Sequence, residues 1–130
     1  MKILLIGSGG REHAMAWSIA ASPLVRKFYC APGNPGISNY AECVSIKITD
    51  YKKIVNFALK KNIDLVVVGP ETPLVDGLVD LLEEKNIKVF GPSANAAQLE
   101  GSKIFSREIC HRHNIPQPKF KIFKDPSLAI

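Results

Sequence analysis

Three short segments carry the residues best suited to handling a small polar ligand. Gly7-Ser8-Gly9-Gly10-Arg11-Glu12-His13 joins a glycine-rich turn to a guanidinium and an imidazole. Gly9 and Gly10 would let backbone N–H groups face outward, and a helix starting there adds unpaired donors and a partial positive charge. That is chemistry for an anion or a sugar. Arg11 suits an oxyanion and His13 suits a donor role, although a solvated arginine and a structural histidine account for the same residue types. The second segment, Pro32-Gly33-Asn34-Pro35-Gly36, cannot be regular structure. Gly33 and the Asn34 amide offer a preshaped wall to a ligand, or simply a linking turn. In the third, Gly69-Pro70-Glu71-Thr72-Pro73, the Glu71 carboxylate can accept from two sugar hydroxyls or an amine. It could equally cap a helix starting near Leu74. Further on, Lys103 follows Gly101-Ser102 and could reach nucleotide phosphates from a helix, or be a plain surface lysine. The upstream glycine and strand context of a phosphate loop are missing there.

The first segment departs from a dinucleotide-binding fingerprint at a decisive place. That fingerprint requires a small residue where this chain has Glu12, and an acid about 20 residues on to hold a ribose. The second strand instead runs into Tyr29-Cys30-Ala31-Pro32-Gly33. These departures oppose a nicotinamide-dependent oxidoreductase. A non-catalytic Rossmann-like ligand-binding module is the other alternative. A metal centre is not expected: Cys30, Cys43 and Cys110 are too dispersed for a thiolate knuckle, His111 and His113 do not share a helix face, and no acidic cluster could hold two magnesium ions. The net charge of +5 could suit a phosphorylated substrate, although a solvated basic face accounts for it better. Nucleic acid is not an expected partner, because the lysines are scattered apart from a modest Lys119–Lys124 cluster. The odd cysteine count fits a reducing compartment, and the N-terminus shows neither a signal peptide nor a membrane span. The expected location is therefore the cytoplasm.

These segments need elements to position them. Ile3–Ile6 and Leu65–Val68 are apolar throughout, as in strands covered on both faces. Lys27–Cys30, Cys43–Ile46 and Val89–Phe90 read as three more strands. Helices are expected over Arg11–Ala21, with Ala14, Trp17, Ile19 and Ala21 supplying apolar surface, and after Asp50 with Ile54, Phe57 and Ala58 on one face. Two more are expected over Leu74–Glu84, with Leu74, Leu78, Leu81 and Leu82 inward, and from Ser93 to Leu99. The alternation predicts an α/β fold with a doubly wound, parallel, five-stranded Rossmann-like sheet. In such a sheet ligands bind beyond the carboxyl ends of the strands, where all three special loops emerge. After Leu99 the pattern changes. A helix capped by Gly101 or Ser102 runs to about His113, Phe120–Phe123 resembles a new strand, and Asp125-Pro126-Ser127 resembles a helix start. Residues 1–101 are expected to form one domain and residues 102–130 the start of a second.

Taken together, Gly7–His13, Ala31-Pro32-Gly33-Asn34, Val67-Val68-Gly69-Pro70-Glu71, Phe90-Gly91-Pro92 and Ala96-Ala97-Gln98-Leu99-Glu100 resemble the phosphoribosylamine–glycine ligase family. Ser102-Lys103 and Arg112-His113-Asn114-Ile115-Pro116 continue the resemblance, which covers essentially the whole chain. It implies a pre-ATP-grasp substrate-binding domain followed by the beginning of an ATP-grasp module. The implied reaction joins phosphoribosylamine and glycine at the expense of ATP through a glycyl phosphate, giving glycinamide ribonucleotide, ADP and phosphate in purine synthesis. The implied substrate-binding residues are Gly9, Gly10, Arg11, His13, Gly33, Asn34 and Glu71, with Glu71 on ribose hydroxyls. Lys103 resembles a lysine near the nucleotide phosphates, and the Mg2+ ligands are expected beyond residue 130. The expected partners are the two substrates and the remainder of the same polypeptide, in a monomer, with the fragment inactive alone. A related carboxylase or formyltransferase would share the architecture.

Overall fold

A computed structural model describes residues 1–123 and 125–129. Lys124, the end of the expected basic cluster, and the terminal Ile130 lie outside the described residues. The first strand, β1 (Lys2–Gly7), occupies the centre of a five-stranded sheet. β2 (Lys27–Pro32) and then β3 (Glu42–Cys43) lie to one side, β4 (Leu65–Val68) and then β5 (Val89–Phe90) to the other. All pairings are parallel, with Leu5 opposite both Cys30 and Val67.

Alternation along the central strands feeds two cores. Leu4, Ile6, Tyr29, Val66 and Val68 face α2 (Tyr51–Lys61) and α4 (Leu78–Glu83), meeting Ile54, Ala58, Leu78 and Leu82. Ile3, Leu5, Phe28, Cys30 and Val67 face α1 (Gly10–Ala20) and the 3-10 turn Ile37–Asn39, through Ala16 and Ile37. Helices thus cover both faces, as the unbroken apolar runs require. Ile54, Leu78 and Leu82 are fully buried, each contributing about 1.5–3 kcal/mol of transfer free energy. Asp50 caps α2 by accepting from the Lys53 N–H at 3.2 Å, and Asn62 ends it in a left-handed conformation.

Several expectations need correction. The third strand is Glu42–Cys43 rather than Cys43–Ile46; the Val44 N–H bonds Cys30 O, but Ile46 turns back to bond Val44 O. The helix expected over Leu74–Glu84 is two, α3 (Glu71–Val75) and α4, because Gly77 adopts φ +86° between them. Leu81 is 39% exposed and Trp17 is 65% exposed, so neither points into the core; Ala14 and Ala21 are exposed too. Trp17 lies on the outer row of α1, while Glu12 and Ala16 take the inner one. The helix after Ser93 is α5 (Ala94–Gly101). Ser102 caps α6 (Lys103–Arg112), its Oγ accepting from the Phe105 N–H at 3.3 Å. Phe120–Phe123 forms no strand; these side chains are exposed, and no strand among the described residues pairs with them. A 3-10 turn, Pro126–Ala129, follows Asp125. Among the described residues, no helix is long and apolar enough to cross a membrane.

Candidate functional site

Sheet order turns around β1: the chain leaves it toward β2 on one side and later returns to β4 on the other. The carboxyl ends of β1 and β4 therefore flank the switch point where doubly wound sheets take ligands. Backbone hydrogen bonds weld the three special loops there. The Gly33 N–H donates to Gly7 O at 3.1 Å, and the Gly69 N–H donates to Ile6 O at 3.2 Å. Gly7 sits at φ +131° and Gly33 at φ +74°, backbone conformations that side chains resist.

Side chains complete the joint. Arg11 spans from the first loop to the third: its Nη1 donates to Gly69 O at 3.1 Å and its Nη2 to Glu71 Oε1 at 2.8 Å. Glu71 is not in a loop but is the first residue of α3, where the helix N-terminus favours a carboxylate. The Arg11 hydrogen bond and charge hold the Glu71 carboxyl below the usual carboxylate range and push the Arg11 guanidinium up. Both side chains are about half exposed, so the pair is worth little to stability and is free to exchange partners. Buried Glu12 and then Glu100, near the end of α5, add further negative charge to the field of Arg11.

The other candidate side chains shape the shelf. Asn34 spends both ends of its amide: Nδ2 donates to Ser8 O at 2.8 Å, and Oδ1 accepts from the Ile37 N–H at 2.9 Å. His13 lies against Gly36, where a Cβ would fall 2.5 Å from its Cε1, and tilts against Tyr40 at a centroid distance of 5.8 Å. The His13 ring therefore supports the second loop from beneath. Gly10 is different: a Cβ there would meet nothing within 4 Å, so packing does not demand the glycine and the helix start stays open.

Glu12 was legible only as a misfit in the dinucleotide fingerprint. It is buried, 5% exposed, and its Oε2 accepts from the Gly9 N–H at 2.7 Å, the reach-back half of a capping box. Its side chain fills the room that three glycines leave. A Cβ on Gly7 would fall 2.4 Å from Glu12 Cγ, one on Gly69 2.5 Å from Oε1, and one on Gly9 3.0 Å from Oε2. The wide spacing of Gly7, Glu12 and Gly69 in sequence hid this joint.

Lys103 stands apart from this shelf. It starts α6 and lines a cavity of about 270 Å3 with Ile104, Arg107, Phe120, Lys121, Ile122 and Phe123. Three cations beside apolar walls fit a phosphorylated ligand with a flat apolar part. Another cavity of about 300 Å3, between α2 and α4, is lined by Tyr51, Val55, Leu81 and surface lysines away from the loops. Among the described residues, no group of three or more His, Cys, Asp or Glu could hold a metal ion.

A family model described as "Phosphoribosylglycinamide synthetase, N domain" matches residues 1–100. The chain belongs to this family. Its relatives include the phosphoribosylamine–glycine ligase of Mesorhizobium japonicum, 58% identical over 129 residues, which span 99% of this chain and 30% of that protein. The ligase of Escherichia coli O157:H7 is 48% identical over 133 residues, covering 99% of this chain and 31% of its own length. The chain thus spans about a third of the length of these relatives. Among solved structures, phosphoribosylamine–glycine ligase from Thermotoga maritima superposes with a TM-score of 0.67 at 25% identity, over 93% of this chain and 27% of that one. N5-carboxyaminoimidazole ribonucleotide synthetase from the same organism reaches a TM-score of 0.75 at 21% identity, over 98% and 35% of the two chains, and shares the fold. This family's N domain is a parallel five-stranded Rossmann-like sheet of the pre-ATP-grasp type, as found here.

Proposed function

We propose that this chain is the N-terminal part of an ATP-dependent ligase that joins phosphoribosylamine to glycine. The observation that carries the reading is the 58% identity to a curated phosphoribosylamine–glycine ligase across 99% of the chain. The loop shelf supports it, because an open helix start, a half-exposed arginine and an ionised carboxylate stand together at the switch point. In this reading Gly9, Gly10, Arg11 and Glu71 meet the sugar phosphate. Glu71 accepts from ribose hydroxyls once Arg11 exchanges partners. Gly33, Asn34 and His13 act through the second loop, whose backbone forms the neighbouring wall.

Holding phosphoribosylamine by its ribose fixes the direction of its amine, which the reaction needs for attack on an activated glycine carboxyl. When bound, ATP supplies the phosphoryl group that activates that carboxyl. Lys103, Arg107 and Lys121 are the cations that would hold its phosphates, in a cavity that Phe120 and Phe123 also line. The Mg2+ ligands come from chain outside residues 1–130. The protein acts as a cytoplasmic monomer, with residues 1–101 as its substrate-binding domain.

The test is turnover. The full-length protein should form glycinamide ribonucleotide from radiolabelled glycine only when phosphoribosylamine and Mg-ATP are both present, and residues 1–130 alone should form none. Glycine incorporation that ignores phosphoribosylamine would overturn the assignment. So would NADH oxidation without ligase turnover.

A further inference from the structure

In a dinucleotide-binding loop the third small residue lets the helix lie close to the strand, and the loop N–H groups accept a diphosphate at the helix N-terminus. This chain has the same strand–loop–helix but places Glu12 at that third position. The side chain is accommodated because Gly7 and Gly69, at the ends of β1 and β4, leave room for its stem and carboxyl group. Its Oε2 takes the Gly9 N–H at 2.7 Å, so one of the donors an incoming diphosphate would use is already engaged by an internal acid.

We propose that Glu12 is a specificity-determining residue that makes the glycine loop reject phosphate and accept the hydroxyl or amine end of a ligand. The inference rests on the reading of this shelf as the substrate site and says which end of the substrate faces it. An anion on the Gly9–Arg11 amides would share the Gly9 N–H with a carboxylate and sit a few ångströms from its charge. Glu12 is 5% exposed, so little water screens that charge, and the Arg11 guanidinium that feels it is already bonded to Gly69 O and Glu71. A hydroxyl or amine meets no such repulsion, and the second carboxylate, Glu71, stands within reach of the same Arg11. The feature that disqualifies the loop for a dinucleotide thereby fits it for a sugar or amine.

Glu12→Gln tests this, because it keeps the side chain's shape and an oxygen for the Gly9 N–H while removing the charge. Inorganic pyrophosphate is titrated into 15N-labelled residues 1–130 while the Gly9, Gly10 and Arg11 amides are followed by NMR, with a melting curve to confirm folding. The wild-type loop should stay silent, and Glu12→Gln should bind pyrophosphate at the loop more tightly by on the order of tenfold. Ribose shifts on the same amides should persist in both. Equal pyrophosphate affinity at the loop in the two folded proteins overturns the proposal. Should Glu12→Gln fail to fold, the wild-type titration decides: saturable pyrophosphate shifts at Gly9–Arg11 overturn it, and silence there with ribose shifts present supports it. Ligase turnover of the wild-type full-length protein is measured independently of this titration, so the two readings fail separately.

Discussion

Replacing Gly69 by alanine tests whether Glu12 joins the loops as the geometry indicates. The new methyl carbon would sit 2.5 Å from Glu12 Oε1, 2.7 Å from Cγ and 2.8 Å from Cδ, all well inside contact distance. The backbone at Gly69 is held by its N–H bond to Ile6 O, so the acid must yield. Overpacking of this kind costs about 1–3 kcal/mol. Pulling Oε2 from the Gly9 N–H forfeits a charge-assisted hydrogen bond of about 1.5–3 kcal/mol, part of which solvent returns. A net loss of about 2–4 kcal/mol is expected, or a fall in Tm of roughly 6–16 °C for a domain of this size. The decisive measurement is a double-mutant cycle by urea denaturation. In a Glu12→Ala background the obstacle is gone, and Gly69→Ala should cost under about 1 kcal/mol, leaving a coupling above roughly 1 kcal/mol. If the two substitutions add to within about 0.5 kcal/mol, Glu12 does not occupy the space opposite Gly69 and the reasoning fails.

In the full-length protein, Glu71→Gln should lower kcat/KM for phosphoribosylamine roughly 10–150-fold while KM for glycine and ATP changes little; unchanged efficiency in a folded variant removes Glu71 from the substrate site. Because Arg11 depresses the Glu71 pKa, the pair's contribution to stability should be complete above the ordinary carboxylate range and fade as pH falls through the lowered value. Carboxyl 13C titration should place Glu71 below the usual range, and Arg11→Gln should return it; a Glu71 that titrates normally in the wild type contradicts the pairing. Burial pushes the Cys30 thiol up to about 12, so Ellman's reagent should label exposed Cys43 at neutral pH and leave Cys30 unmodified until the protein unfolds. Limited proteolysis of residues 1–130 should cut first between about residues 101 and 118 if the domain division at 101 is right; uniform protection to the C-terminus argues against it.

The sheet was legible because its causes are local. Unbroken apolar runs such as Ile3–Ile6 and Leu65–Val68 can survive only with both faces covered, and helical patterns between strands force parallel crossovers. Topology then sends the Gly7, Gly33 and Gly69 loops to one edge, so the place of the site followed from element order alone. Caps such as Asp50 and Ser93 were equally readable, since each bonds a backbone N–H three residues away. What escaped depends on the backbone conformation a residue finally takes or on partners distant in sequence. The Leu74–Glu84 pattern reads as one helix because its leucines keep a helical spacing, and only the left-handed Gly77 shows the break. Phe120–Phe123 has strand-like residues, but a strand exists only when a neighbour supplies its hydrogen bonds.

The site divides along the same line. Residue types at Arg11, Asn34 and Glu71 announced polar recognition, yet their actual bonds run to Gly69, Ser8 and one another across 26 to 60 positions. Glu12 shows the limit most clearly. In sequence it is a charged residue in a place meant for a small one; in the fold it is the buried acid for which Gly7, Gly9 and Gly69 make room. Local chemistry determined which strands and helices form and which loops share an edge, because those follow from patterns a few residues long. Tertiary structure alone decided which donors remain free for a ligand, because a hydrogen bond is claimed by whichever acceptor the fold brings within reach.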